Sequence, residues 1–272
     1  FNIKRTNSIY IPKTRFLLSY NYLKRVNYFD MSTFRFLYGF RWKEDIRKEQ
    51  TVFQKRRVLK PYDIGVLASI GLSSVRVIPK PKVAILSTGD ELVGIDTPLT
   101  AGKIRTSNNV TLRALVKQLG AEPVDLGIAR DTIESTEQQL LAAFSADIIL
   151  TSGGVSMGDH DFVRIVLEKM GVEIKFWKVK QRPGKPLVFG VKDKKLFFGL
   201  PGNPVSAGVC FEWYVVPAIL KMSGQNHQPL RVRAALRHAI TKKPGLRHFL
   251  RGILQKTDQG YSVQTTGNQS SG

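Results

Sequence analysis

Three stretches of this sequence combine stiff backbone with polar side chains, and each suits an oxygen-rich ligand. Ser87-Thr88-Gly89-Asp90-Glu91 places two carboxylates side by side behind an apolar run. At the end of a strand such a pair can hold a hard cation such as Mg²⁺ or orient a hydroxyl. Taken alone, it favours the plainer reading of a solvated turn and helix cap. The second stretch is Thr151-Ser152-Gly153-Gly154-Val155-Ser156-Met157-Gly158-Asp159-His160-Asp161. Gly153, Gly154 and Gly158 let backbone N–H groups approach an anion, Ser152 and Ser156 add hydroxyl donors, and the helix start that follows adds partial positive charge. Asp159 or Asp161 can hold a bridging metal there. A plain turn would explain glycine and aspartate, but not three glycines and two serines together; His160 reads as a surface residue.

The third feature is a pair of loops, Gln181-Arg182-Pro183-Gly184-Lys185-Pro186 and Gly199-Leu200-Pro201-Gly202-Asn203-Pro204-Val205-Ser206. Proline fixes φ and glycine permits close approach, so both loops have a rigid shape. Arg182 and Lys185 aim two cations at whatever that shape encloses. A compact tetrahedral oxyanion suits guanidinium, ammonium and the Ser206 hydroxyl. The alternative is two hairpin-like turns with solvated cations.

These loops need elements to position them. Val83-Ala84-Ile85-Leu86 is a buried-strand signal ending at Gly89. Leu112, Leu115, Val116 and Leu119 follow at helical spacing, with Ser107 or Asn108 expected as N-cap and Gly120 as the stop. Residues 123–126 predict a second strand, 133–144 a helix, and 147–151 a third strand. Phe162, Val163, Val166, Leu167 and Met170 form another apolar stripe, with Asp159 expected to cap it and Gly171 to end it. Cys210 reads as a small core residue. Short strands are expected at 174–177, 187–189 and 196–198, an apolar helix from about Val205 to Met222, and a small separate β unit over 230–263. Strand–helix alternation of this kind predicts an α/β fold: a mostly parallel sheet with helices on both faces, in which ligands bind outside the carboxyl ends of the strands.

Composition limits the function. Of 272 residues, 42% are hydrophobic, enough for a sizeable core, and the one cysteine excludes an internal disulfide framework and suits a reducing compartment such as the cytoplasm. No uninterrupted apolar run reaches the length of a membrane span, so no membrane is expected. The net charge of +21 is unevenly spread, because residues 1–60 carry 15 Lys+Arg against 4 Asp+Glu and 13 of the 26 aromatics. A nucleic-acid arm and a targeting leader are both conceivable there. The favoured reading is that much of residues 1–58 is not native coding sequence, so nucleic acid is not an expected partner.

With these motifs in order, the sequence resembles the MoeA-type molybdopterin molybdenumtransferases, which include the gephyrin E domain. Ser87-Thr88-Gly89-Asp90-Glu91-Leu92, Ser152-Gly153-Gly154-Val155-Ser156-Met157-Gly158-Asp159, Arg182-Pro183-Gly184-Lys185-Pro186 and Leu200-Pro201-Gly202-Asn203-Pro204-Val205-Ser206 carry the likeness, from about Leu59 to Gly272. It implies a MogA-like molybdopterin-binding domain over 82–226 and a partial small β domain over 227–272, with 59–81 a linker or remnant of a preceding subdomain. It also implies a reaction. Adenylylated molybdopterin and molybdate react with Mg²⁺ present, giving molybdenum cofactor and AMP. Molybdate would lie near Arg182, Lys185, Pro186 and Ser206, shaped by Pro201, Asn203 and Pro204. Ser152, Gly153, Gly154, Ser156 and Gly158 would hold the pterin or phosphate. Asp161, Asp131 and Asp90 would hold Mg²⁺, and Asp161, Glu91 and Lys185 would act in catalysis.

Thr106 stands where many relatives carry Asp, so no carboxylate is expected from that point. The resemblance further implies two N-terminal subdomains that residues 1–55 do not match, a homodimer in the complete protein, and a molybdopterin adenylyltransferase as pathway partner. The C-terminal β unit reads as cut short. The competing readings are a related pterin- or nucleotide-binding enzyme (molybdopterin adenylyltransferase or CinA-like) and a non-catalytic scaffold fragment.

Overall fold

The structure is a computed structural model that describes residues 2–5 (as backbone), 46, 50–155 and 162–269. The chain divides into two compact units, Phe1–Pro79 with Ser223–Gln225, and Lys80–Met222 with Asn226–Gly272.

In the first unit, strand β1 (Asn2–Arg5) pairs in parallel with β2 (Ser74–Val77), and helix α1 (Pro61–Ser69) lies between them in sequence. Pro61 occupies the first helical turn, where its missing N–H costs nothing. Asp63 accepts from Lys60 N at 2.9 Å and from the Arg57 guanidinium at 2.8 and 3.0 Å. Those bonds, Arg57's first, hold its carboxyl below the usual carboxylate range. Leu67, Ile70, Val75 and Ile46 form a small apolar cluster. The stretch expected to be a linker or remnant thus carries a local core of its own.

The second unit is built on a six-stranded sheet in the order β6-β3-β7-β11-β10-β8. Its members are β3 (Lys82–Thr88), β6 (Glu122–Ala129), β7 (Ile148–Ser152), β8 (Glu173–Trp177), β10 (Val188–Lys192) and β11 (Lys195–Leu200). The pairs β3–β6, β3–β7 and β7–β11 are parallel, whereas β10 is antiparallel to both β11 and β8. The short β4 (Leu92–Val93) and β5 (Ile104–Arg105) pair beside it. Alternate residues of β3 feed two cores, as a strand buried on both faces must. Val83 and Ile85 pack with Leu112 and Val116 of α2 (Ser107–Gln118) and with Phe211 and Ile219. Ala84 and Leu86 pack with Leu140 of α3 (Ile133–Ala142) and with Val163, Val166 and Leu167 of α4 (Phe162–Lys169). The expected α/β fold is the observed one.

Local differences have local causes. Helix α2 begins at Ser107, so its cap position is Thr106, one residue before the expected caps; Gly120 ends it at φ +77°. Residues Ala143–Ser145 tighten into a 3₁₀ turn rather than continuing α3. The expected Asp159 cap falls outside the described residues. Asp193 and Lys194 take left-handed φ values of 48° and 66°, as a two-residue hairpin joining β10 to β11 requires. The apolar helix is α5 (Pro204–Cys210), a π turn at Phe211–Val215 and α6 (Val216–Met222). That 19-residue run, of mean hydropathy 1.3, is long and apolar enough to cross a bilayer. Its Ala207, Cys210, Phe211, Val215, Val216 and Ile219 are instead buried against the sheet.

Beyond it, β12 (Ala235–Leu236), β14 (Gly252–Thr257) and β15 (Gly260–Thr265) form a three-stranded sheet, ordered β12-β15-β14. The link back is β13 (Arg247–His248), which pairs in parallel with β9 (Gln181–Arg182), so this segment is stitched to the loop of Arg182 rather than standing apart.

Truncating Leu150, fully buried at the centre of the sheet, should cost about 2–5 kcal/mol. Urea unfolding of Leu150→Ala checks this; a loss under about 1 kcal/mol would mean the site is not close-packed.

Candidate active site

Strands β3, β7 and β11 run parallel and adjacent, so their carboxyl ends emerge along one edge of the sheet. Strand β6 follows β3 in sequence but lies on its far side, so the chain reverses direction across the sheet between β3 and β7. That reversal is where open α/β sheets form a crevice. A cleft of about 640 Å³ lies there. It is lined by Ser87, Thr88, Gly89 and Glu91 after β3, Ser152 to Val155 after β7, and Pro201 to Pro204 with Ser206 after β11. Arg105 to Asn108, Asp131 and Pro186 complete the wall with Leu92 and Ile104.

The floor depends on glycine. Gly153 has φ +96°, and a Cβ there would lie 2.4 Å from the Thr88 carbonyl oxygen. At Gly154, with φ +64°, it would lie 2.6 Å from Thr88 Oγ1 and 2.7 Å from Val163 Cγ2. The sequence suggested that these glycines open backbone N–H groups to an anion. The Gly153 N–H instead donates to the Leu200 carbonyl at 3.1 Å. What the pair secures is the approach of the β7 turn to the end of β3.

Across the opening, Asn108 Nδ2 donates to Ser152 Oγ at 2.8 Å and to the Gly202 carbonyl at 2.7 Å. Thr106 Oγ1 lies 3.1 Å from Ser87 Oγ. Asn203 caps α5, its Oδ1 accepting from Ser206 N at 3.1 Å and from Ser206 Oγ at 3.2 Å, while Pro204 fills the first helical position. Asn203 and Ser206 therefore both line the cleft and stabilise a helix start.

The charges are arranged differently from expectation. Arg182 and Lys185 are exposed and lie outside the cleft lining, to which their loop contributes Pro186. Among the described lining residues the cation is Arg105, whose Nη1 binds the carbonyls of Ile95 and, at 2.8 Å, Thr97. Glu91 and Asp131 supply carboxylates to the wall. Asp90 lies just outside it, exchanging backbone-to-carboxylate bonds with Asp131 at 3.3 Å each way. Lys103 Nζ holds the Asp90 carbonyl at 2.6 Å. No group of three or more His, Cys, Asp or Glu side chains suited to a metal occurs among the described residues. Two carboxylates on adjoining turns still match Mg²⁺, which commonly takes one or two carboxylates and completes its shell with water and phosphate. Ser156, Gly158 and Asp161, expected in the site, lie outside the described residues.

The loop of Arg182 is anchored from beneath. Gln181, 3% exposed, accepts from Tyr214 OH at 2.6 Å and donates to the Pro183 carbonyl at 3.1 Å. Cys210 Sγ lies 3.6 Å from both Gln181 Nε2 and the Gly184 carbonyl. A side chain at Gly184 would strike Cys210 Sγ at 2.6 Å. Burial pushes the Cys210 thiol up to about 12, the Gln181 bond opposing it. Burial, then Cys210, raises Tyr214 as well, with Arg247 opposing. Cys210 is the core residue expected. Asn108, Thr106 and Gln181 are the site residues missed. Each looked like an ordinary helix-start or loop residue, and no local pattern reveals a partner 19 to 94 positions away.

Residues 84–221, half of the chain, match the model of a family described as "Probable molybdopterin binding domain", and residues 233–272 match "MoeA C-terminal region (domain IV)". The chain belongs to the MoeA-type molybdopterin molybdenumtransferase family. It is 41% identical to the molybdopterin molybdenumtransferase of Haemophilus influenzae over 84% of its own length and 57% of that protein. The corresponding Nostoc sp. enzyme is 37% identical, over 78% of this chain and 50% of the other. The crystal structure of a Pyrococcus horikoshii molybdopterin biosynthesis MoeA protein superposes with TM-score 0.68 at 31% identity, covering 78% of this chain and 52% of that one. The chain spans about half the length of the curated relatives it matches.

Two outcomes follow from this geometry. Gly154→Ala should destabilise by about 2–4 kcal/mol, combining left-handed strain with overpacking; urea unfolding at the level of the parent protein would mean the β7 turn has room. Because the folded Cys210 pKa of about 12 exceeds its ordinary 9.0, the neutral thiol contributes stability fully below pH 9, lost as pH rises toward 12. Iodoacetamide at pH 8 should therefore label Cys210 far faster in urea than in the folded protein, and equal rates would contradict its burial.

Proposed function

We propose that this chain carries the ligand-binding cleft of a molybdenum insertase of molybdenum cofactor biosynthesis. The reaction assigned is the insertion of molybdate into adenylylated molybdopterin, with release of molybdenum cofactor and AMP. One observation carries the reading: the Ser152, Pro186, Pro201 and Ser206 loops, dispersed in sequence, line one cleft at the reversal point of the sheet. Hydroxyl and amide donors dominate its polar wall, which suits phosphate and pterin oxygens.

Arg182 and Lys185 precede Pro186 on the same rigid loop, and molybdate is assigned to the rim where that loop meets Ser206. Mg²⁺ would be held by Asp131 with Asp90 or Glu91, joined by Asp161, and when bound would neutralise charge on the phosphoanhydride. The chain's own groups orient the two anions. Ser152 donates a hydrogen bond, the Gly153–Gly154 turn fixes the floor, the Ser206 hydroxyl, bonded to Asn203, shapes the rim, and Lys185 supplies charge to the oxyanion. In this reading the protein is cytoplasmic, the complete enzyme is a homodimer, and a molybdopterin adenylyltransferase provides its substrate.

Sodium molybdate should raise the melting temperature of the protein, since a ligand of the folded state stabilises it. Lys185→Ala, at an exposed position, should melt within about 0.5 kcal/mol of the parent protein without molybdate. Its affinity should fall about tenfold or more, the weight of a hydrogen bond to a charged group. Equal protection of both forms would remove Lys185 from the site.

A further inference from the structure

We propose that Asn108 is a positioning residue that fixes the Ser152 hydroxyl as a hydrogen-bond donor toward the cleft. This deepens the functional reading above and rests on it. The Gly202 carbonyl can only accept, so the Asn108 atom 2.7 Å from it must be the amide nitrogen. The same nitrogen lies 2.8 Å from Ser152 Oγ, which therefore accepts. A serine hydroxyl carries one proton. With its oxygen accepting from Asn108, Ser152 must direct that proton elsewhere, and among the described residues its hydroxyl donates to no other group.

Ser152 is 3% exposed and lines the cleft. A buried donor of this kind is costly unless a ligand satisfies it. The matching ligand atom is an acceptor without protons of its own, such as a phosphate oxygen. Asn108 thus sets selectivity at one remove: a carboxylate at position 108 would accept the serine proton and withdraw it from the ligand. It would also place an acceptor against the Gly202 carbonyl.

The test uses AMP as the phosphate-bearing probe and adenosine as its neutral counterpart, titrated calorimetrically. Ser152→Ala and Asn108→Ala should each weaken AMP binding about tenfold, leave adenosine unchanged, and in the double variant weaken AMP no further than either alone. Asn108→Asp, close in size, should reproduce the loss and provides the same cycle if the alanine variant does not fold. Full additivity of the two losses, or unchanged AMP affinity in folded Asn108 variants, would overturn the inference while leaving the cleft assignment standing. Failure of the parent protein to bind AMP at millimolar concentration would overturn both.

Discussion

The cleft exists because two residues lack a side chain. The turn after β7 comes so close to the end of β3 that a single carbon on Gly153 would overlap the Thr88 carbonyl, and one on Gly154 would overlap both Thr88 Oγ1 and Val163. That approach brings Ser152 within reach of Asn108, and through Asn108 within reach of the β11 loop. Sheet order supplies the neighbourhood, but it is backbone-to-backbone proximity that turns three strand ends into a single wall. The site is therefore organised by short-range repulsion avoided rather than by attraction gained.

Electrostatics enters at a second level. The excess of positive charge is not concentrated on the cleft floor, where the polar groups are mainly hydroxyls and amides, with carboxylates at Glu91 and Asp131. Arg105 is bound to backbone carbonyls of the 94–97 loop, so its charge also orders that wall. Arg182 and Lys185 are exposed on the loop that gives the cleft its Pro186. In the function proposed above, such a division would let the margin attract anions over several ångströms while the interior discriminates by donor geometry.

Much of this was legible in the sequence. Val83 to Leu86 read as a buried strand because all four residues are apolar, and they proved to feed two opposite cores. Gly120 and Gly171 read as helix stops because the left-handed backbone there, φ +77° and +74°, favours glycine. The motifs of Ser87, Ser152 and Pro201 read as strand-end loops, and they do converge. What stayed hidden were the cross-links: Asn108 to Gly202, Gln181 to Tyr214 and Thr106 to Ser87 join residues far apart, and their chemistry differs in no way from that of solvated side chains. The aim of Arg182 and Lys185 was likewise illegible, since a rigid loop has two sides and composition does not say which one faces the cleft.

The π turn at Phe211–Val215 holds one surplus residue relative to a regular α-helix. Ala207, Phe211, Val215 and Ile219 recur every four positions, a spacing that drifts by about 40° per step around a helix of 3.6 residues per turn. The widened turn absorbs that drift, so both halves of one rod press the same way. A homologue one residue shorter here would keep both ends in phase as a plain α-helix, because the eleven positions then separating the two ends turn through three full turns with only about 20° left over. Insertions and deletions in this helix are thus constrained by phase as much as by length.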